Sequence, residues 1–90
     1  MQVYRSLSGG GGSALFYSRS ANGTLTGVID GVNDLFTLSE NYKPGTIQLF
    51  VGGVCMGLLD YEEITENQIK ITSDPLPQND EEIIVIAEKI

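Results

Sequence analysis

The stretch Gly45–Leu59, GTIQLFVGGVCMGLL, constrains the fold more than any other part of the chain. Ile47, Leu49 and Val51 alternate with Gln48 and Phe50; after Gly52-Gly53, Val54, Met56 and Leu58 resume the alternation against Cys55, Gly57 and Leu59. Period-2 patterning on both sides of two glycines predicts a β-hairpin with a tight primed turn. Both central residues of such a turn need positive φ, which glycine adopts without a Cβ clash. A lone hairpin is marginal in water, so further strands must cover its apolar face.

The remaining sequence offers them. Leu35–Leu38 follows a turn at Asp30-Gly31-Val32-Asn33-Asp34, where Asx chemistry accounts for the oxygen-bearing side chains. Tyr61, alone among Asp60, Glu62 and Glu63, is expected to fold over the sheet edge, and Ile64–Asn67 to make a short turn. Gln68–Thr72 alternates with Ile69 and Ile71 inward; Asp74-Pro75-Leu76-Pro77 is an extended link anchored by Leu76. Ile83–Ala87 is five apolar residues without alternation: either a strand covered on both faces, or a last strand whose second face meets another chain. No helical stripe is present. The expected fold is all-β, a small antiparallel β-sandwich or partly open barrel of about six to eight short strands, with residues 24–90 as the compact β-domain.

Residues 1–23 read as an extended glycine-rich N-terminal arm, with room for a short strand. Val3, Tyr4 and Leu7 precede Gly9–Gly12, a run that has no side chains to bury and much backbone entropy to lose. The segment Gly9–Ser13 looks like an engineered joining linker, but it is read as a natural arm held against a partner. Ala14–Ile29 is expected to form an arm hairpin that turns at Asn22-Gly23. Asn22-Gly23-Thr24 is also a formal glycosylation sequon, for which no secretion signal provides the context.

Charge is divided unevenly. Met1–Ile29 holds Arg5 and Arg19 and no acid, hence +2; from Asp30 onward twelve acidic side chains face three lysines, hence −9, and the chain totals −7. An acidic body with two arginines and no basic stripe argues against nucleic-acid binding and against an anionic membrane surface. The single cysteine permits no intramolecular disulfide, and without histidine a zinc site would be atypical. The Asp30–Asp34 spacing does not fit an EF-hand loop. Cys55 has no histidine to act as its base, so it is read as a small buried strand residue beside the turn. The clusters Asp60/Glu62/Glu63 and Asp80/Glu81/Glu82 read as a solvated acidic rim. No catalytic, metal or cofactor site is expected. A body this small, without covalent or metal staples, is expected to self-associate or to sit on a larger assembly.

Several of these turns combine into a familiar order. Gly27-Val28-Ile29-Asp30-Gly31-Val32-Asn33-Asp34-Leu35-Phe36-Thr37-Leu38, then Pro44–Phe50, the hairpin, Asp60-Tyr61, Gln68–Ile71 and Pro75–Pro77 resemble a small β-module recurrent in tailed-bacteriophage virion proteins. The module occurs in tail fibres, fibre attachment regions and decoration proteins. The chain departs from its pattern at Gly52-Gly53, where Asn-Gly is usual, at Gln78-Asn79-Asp80, in place of a Gly-Asp turn, and at Leu58-Leu59, where Gly is common. The resemblance implies a non-enzymatic accessory structural protein of the virion, decorating the capsid or forming part of a tail or fibre attachment. Its partners would be other virion proteins, in a homo-oligomer or bound to the assembly. On that reading Val3, Tyr4, Leu7, Leu15, Phe16 and Tyr17 are the apolar anchors of the arm, and Arg5 and Arg19 meet acidic surface on a neighbour. The alternative is a receptor- or glycan-binding module of a tail fibre, for which Tyr42 and Tyr61 are the available aromatics.

Overall fold

The computed structural model describes residues 14–90. Seven antiparallel strands lie in this span: β1 (Leu15–Arg19), β2 (Leu35–Thr37), β3 (Gln48–Val51), β4 (Val54–Cys55), β5 (Tyr61–Thr65), β6 (Gln68–Ile71) and β7 (Ile83–Glu88). They form two sheets. Sheet A has the order β1-β7-β3-β4 and sheet B the order β2-β6-β5. The all-β sandwich expected from the sequence is therefore the architecture observed.

The core lies between the sheets. Phe16, Leu49, Val51, Ile83, Val85 and Ala87 reach it from sheet A, and Phe36, Tyr61, Ile69 and Ile71 from sheet B. Leu25, Leu38, Tyr42 and Ile47 close it from the connecting segments. Strand alternation dictates this set: one parity of each strand faces the opposing sheet, and burying it removes its apolar area from water.

The hairpin exists, but its second arm is short. Val51 pairs with Val54 and Phe50 with Cys55 around Gly52 and Gly53, at φ +58° and +85°, as a primed turn requires. β4 then stops. The Gly57 amide donates to the Asp60 carboxylate at 3.0 Å and the Asp60 amide to the Gly57 carbonyl at 3.0 Å, closing a 3-10 turn at Leu58–Asp60. The expected inward face of Val54, Met56 and Leu58 is not formed: Val54 and Leu58 are exposed and Met56 is half-buried.

The arm hairpin expected over Ala14–Ile29 is also absent. β1 pairs with β7, from Leu15 opposite Glu88 to Arg19 opposite Ile84. After the turn at Asn22-Gly23, the Thr24 and Leu25 amides both donate to the Arg19 carbonyl, which swings the chain inward and buries Leu25. Beyond Leu25 the chain makes one bridge, Thr26 to Thr37, in place of a strand. The short strand read within the arm is thus an integral edge of sheet A.

Other turns follow the sequence closely. The Asp30 Oδ1 accepts from the amides of Val32 and Asn33 at 2.9 and 2.8 Å, and Asn33 Nδ2 donates to the carbonyls of Val28 and Leu35. These amide donors hold the Asp30 carboxyl below its ordinary value, the bond from Asn33 contributing most. Tyr61 opens β5, and this strand runs on to Thr65, so the turn occupies Glu66-Asn67 and not Ile64–Asn67. In the proline link Pro77 is the fully buried residue, with Leu76 partly buried beside it.

Gly27 supplies a test of the packing. It sits at φ +141°, and a Cβ there would lie 2.5 Å from Cδ1 of Phe36, whose ring is fully buried and has no room to move. Gly53→Ala carries a comparable left-handed strain, with open space around the new methyl. Backbone strain of this kind costs on the order of 1–3 kcal/mol. Gly27→Ala is expected to be the more destabilising by a further ~1 kcal/mol or more from overpacking, read as a lower urea midpoint at unchanged slope.

Candidate functional site

The two sheets present opposite kinds of outer surface. On sheet B the outward positions include Glu62, Lys70 and Leu35, directly opposite one another across the strands, and Thr37 opposite Gln68. Lys70 lies 3.9 Å from the Asp34 carboxylate. Such a face is well solvated as it stands.

Sheet A is different. The register aligns Tyr17, Ile86 and Gln48 in one outward row and Arg19, Ile84, Phe50 and Cys55 in the next, with Leu15 opposite Glu88 beyond them. Tyr17, Arg19, Phe50, Ile84 and Ile86 line a shallow groove of about 300 Å³. Among the described residues no layer covers it. Leu15 and Tyr17 are each 58% exposed, whereas Phe50, Ile84 and Ile86 are half-buried by one another. A sheet face of isoleucine, phenylalanine and tyrosine, rimmed by Arg19, Gln48 and Glu88, has the apolar centre and polar margin of a protein-binding patch. Arg19 is steadied at this rim by Glu82, with Nη2 and Nε at 3.0 and 3.1 Å from the same carboxylate oxygen. Both side chains remain substantially exposed, so the pair orients the guanidinium and adds little stability.

The sequence-predicted partner residues divide accordingly. Leu15, Tyr17 and Arg19 lie together on this outer face. Phe16 does not: the alternation of β1 turns it into the core, where it is not available to a partner. Val3, Tyr4, Arg5 and Leu7 lie outside the described residues. Sequence reasoning left out Phe50, Ile84 and Ile86. Their signal was present in the unbroken apolar run of β7 and in a phenylalanine at an outward position of β3.

Two other surfaces are weaker candidates. A larger groove of about 380 Å³ is lined by Tyr42, Pro44, Glu63, Ile64, Thr65, Glu66 and Ile90, but its Glu63 carboxylate is occupied by the Gly45 amide at 3.0 Å. Between β4 and the proline link, Asp60, Asp74 and Glu81 border a notch of about 290 Å³. Asp60 is bonded to the Gly57 amide there, and Glu81 to that of Gln78. Among the described residues no group of three or more histidine, cysteine or acidic side chains is placed to hold a metal ion.

Tyr42 and Tyr61 are structural. Each is buried, and their hydroxyls donate to the carbonyls of Gln68 and Ile47 at 3.3 and 3.1 Å. Neither ring is offered to a ligand in the manner a glycan platform requires. Cys55, expected to be buried, is exposed, because it projects outward opposite Phe50 and no described residue covers it there. In comparisons with protein-family models, with curated proteins and with solved structures, nothing matches this chain.

Burial, reinforced by the Glu63 carboxylate and then by Tyr61, pushes the Tyr42 hydroxyl up to about 12. A folded value above the ordinary one near 10 means that the neutral phenol stabilises the fold below pH 10. That contribution is expected to disappear as pH rises from about 10 towards 12. Tyr42→Phe should lower stability at neutral pH by about 0.5–1.5 kcal/mol through loss of the Gln68 bond. It should also flatten the alkaline decline, measured by urea denaturation across that pH range.

Proposed function

We propose that this chain is a non-enzymatic structural component of a bacteriophage particle, held to neighbouring virion proteins through the outer face of sheet A and the arm that leads into it. The observation that carries the reading is the contrast between the two outer faces. In a free-standing sandwich Leu15 and Tyr17 stay largely in water and Phe50, Ile84 and Ile86 are only half-buried by one another, whereas an assembled one would bury the whole face. The arm is continuous in sequence with β1, whose outward side chains Leu15, Tyr17 and Arg19 form one margin of the patch.

The resemblance to phage virion modules supports the same reading. Its motif residues serve as turns and core anchors: Asp30 and Asn33 bind their loop and Tyr61 seals the sandwich, while Gly52-Gly53 closes the hairpin in place of the usual Asn-Gly. The decoration of a shell and the attachment of a fibre both require a small rigid body with one adhesive side. Which neighbour it meets depends on where copies are found in the particle.

Mass spectrometry of purified particles encoded by the same genome is expected to find the chain; its absence overturns the reading. Tyr17→Lys combined with Ile86→Lys, in the full chain, should abolish incorporation, because two ammonium groups would have to be desolvated at the joint. The circular dichroism of that variant should stay β-rich. Undiminished incorporation would move the adhesive surface elsewhere.

A further inference from the structure

The turn that follows β1 holds a chemically reactive pair. The chain has five asparagines, at positions 22, 33, 41, 67 and 79, and only Asn22 is followed by glycine. An asparagine side-chain carbonyl is an electrophile for the backbone nitrogen of the next residue, because attack closes a five-membered ring. A Cβ on that next residue crowds the approach, and glycine has none. Asn22 and Gly23 are both exposed, and no described residue beyond the chain neighbours lies within 4 Å of where a Cβ on Gly23 would stand.

Hydrogen bonding prepares the same pair. Asn22 Oδ1 accepts from the Thr24 amide at 3.1 Å and from the Thr24 hydroxyl at 2.6 Å. The Arg19 amide donates to that hydroxyl oxygen at 2.8 Å, which leaves the hydroxyl proton for Asn22. Two donors on one carbonyl oxygen polarise Cγ and already stand where negative charge develops during attack. The nucleophile is loosely held: the Gly23 amide donates to the Ser20 carbonyl at 3.4 Å, longer than the usual range for such a bond. The related pair Asp30-Gly31 has neither feature. Its Gly31 amide is tied to the Pro77 carbonyl at 2.8 Å, and Asp30 presents a carboxylate, which resists addition of a nucleophile.

We propose that Asn22 is a site of spontaneous deamidation in the folded chain, with the Thr24 amide and hydroxyl as oxyanion donors and water as co-reactant. Hydroxide removes the Gly23 amide proton, giving water. The nitrogen then forms a bond to Asn22 Cγ while the carbonyl π pair moves onto Oδ1, under the two Thr24 donors. As the carbonyl re-forms, the Cγ–Nδ2 bond breaks, and Nδ2 takes a proton from water and leaves as ammonia, which regenerates hydroxide. The product is a succinimide joining the two residues. Water opens it in one of two ways. Cleavage between the Gly23 nitrogen and Cγ leaves aspartate at position 22; cleavage between that nitrogen and the backbone carbonyl carbon leaves isoaspartate, whose main chain runs through the former side chain. Nothing is oxidised or reduced: an amide and water become a carboxylate and ammonium.

Isoaspartate inserts a methylene into the main chain between Arg19 and Thr24. In this loop the Thr24 and Leu25 amides bond to the Arg19 carbonyl and Leu25 is carried into the core. The isoaspartyl form therefore weakens the anchorage of Leu25 and loosens Arg19 at the margin of the sheet A face. This chemistry belongs to the isolated chain and does not rest on the virion reading.

Peptide mapping by mass spectrometry, on the full chain incubated at mildly alkaline pH, decides it. Asn22 should exchange its amide for a carboxylate roughly tenfold faster, or more, than the other four asparagines, each of which precedes a residue with a side chain. The folded chain should convert Asn22 at least as fast as the same chain unfolded in urea. Thr24→Val, which removes one oxyanion donor, should slow the conversion about tenfold or more, and Thr24→Ser should restore it. Retention of the Asn22 amide in the folded chain while the unfolded chain loses it would show that the turn shields the residue, and overturns the proposal. A Thr24→Val chain that reacts as fast as the native one, or faster, also overturns it, because the Thr24 bonds would then restrain the side chain and not activate it.

Discussion

The fold depends on the pairing of β7 with two strands from distant parts of the sequence. One side of β7 holds β1 and the other holds β3, and its inward residues Ile83, Val85 and Ala87 are completely buried. Without β7, sheet A separates into a lone strand and a short hairpin, neither of which can stand in water. Sheet B depends on it indirectly, because Phe36, Ile69 and Ile71 need the inward face of sheet A to cover them. Apart from the β3–β4 and β5–β6 hairpins the cohesion is therefore non-local, and loop closure must come before the contacts that reward it. Slow and highly cooperative folding is the expected consequence of such topology.

Much of this was legible in the sequence, since strand alternation and turn chemistry are local. Ile69 and Ile71, Leu49 and Val51, the Asp30 turn and the two glycines of the hairpin stand where their residue types place them. The misreadings have a common physical origin. Tyr61–Thr65 carries two glutamates and resembles a loop, yet pairing with β6 makes it an edge strand whose exposed carboxylates remain in water. Val54–Leu58 alternates like a strand, yet a carboxylate bond from Asp60 to Gly57 ends the ladder early. In the first place pairing with a neighbouring strand overrides the local pattern, and in the second a capping contact three residues long, present in the sequence as Gly57 to Asp60, outweighs the alternation.

The candidate surface was half legible for a related reason. Leu15, Tyr17 and Arg19 drew attention through their position after the glycine run. Phe50, Ile84 and Ile86 belong to strands far apart in the chain and become one patch only when β7 lies between β1 and β3. An unbroken apolar strand reports that both of its faces favour burial. What lies on the second face is not written in the strand itself.

β1 has apolar residues on both faces, Phe16 on one and Leu15 and Tyr17 on the other, so hydrophobicity alone does not choose which is turned inward. Ser18 does. Fully buried, it accepts the Ser39 amide at 2.9 Å and shares a hydrogen bond with the Ser39 hydroxyl at 3.0 Å. A one-residue slip of β1 along β7 would carry Ser18 to the outside and break both of its bonds to Ser39. This small hydroxyl pair thus acts as the reading-frame marker of the sheet, selecting one of two oily alternatives and thereby deciding which apolar residues are left on the outside.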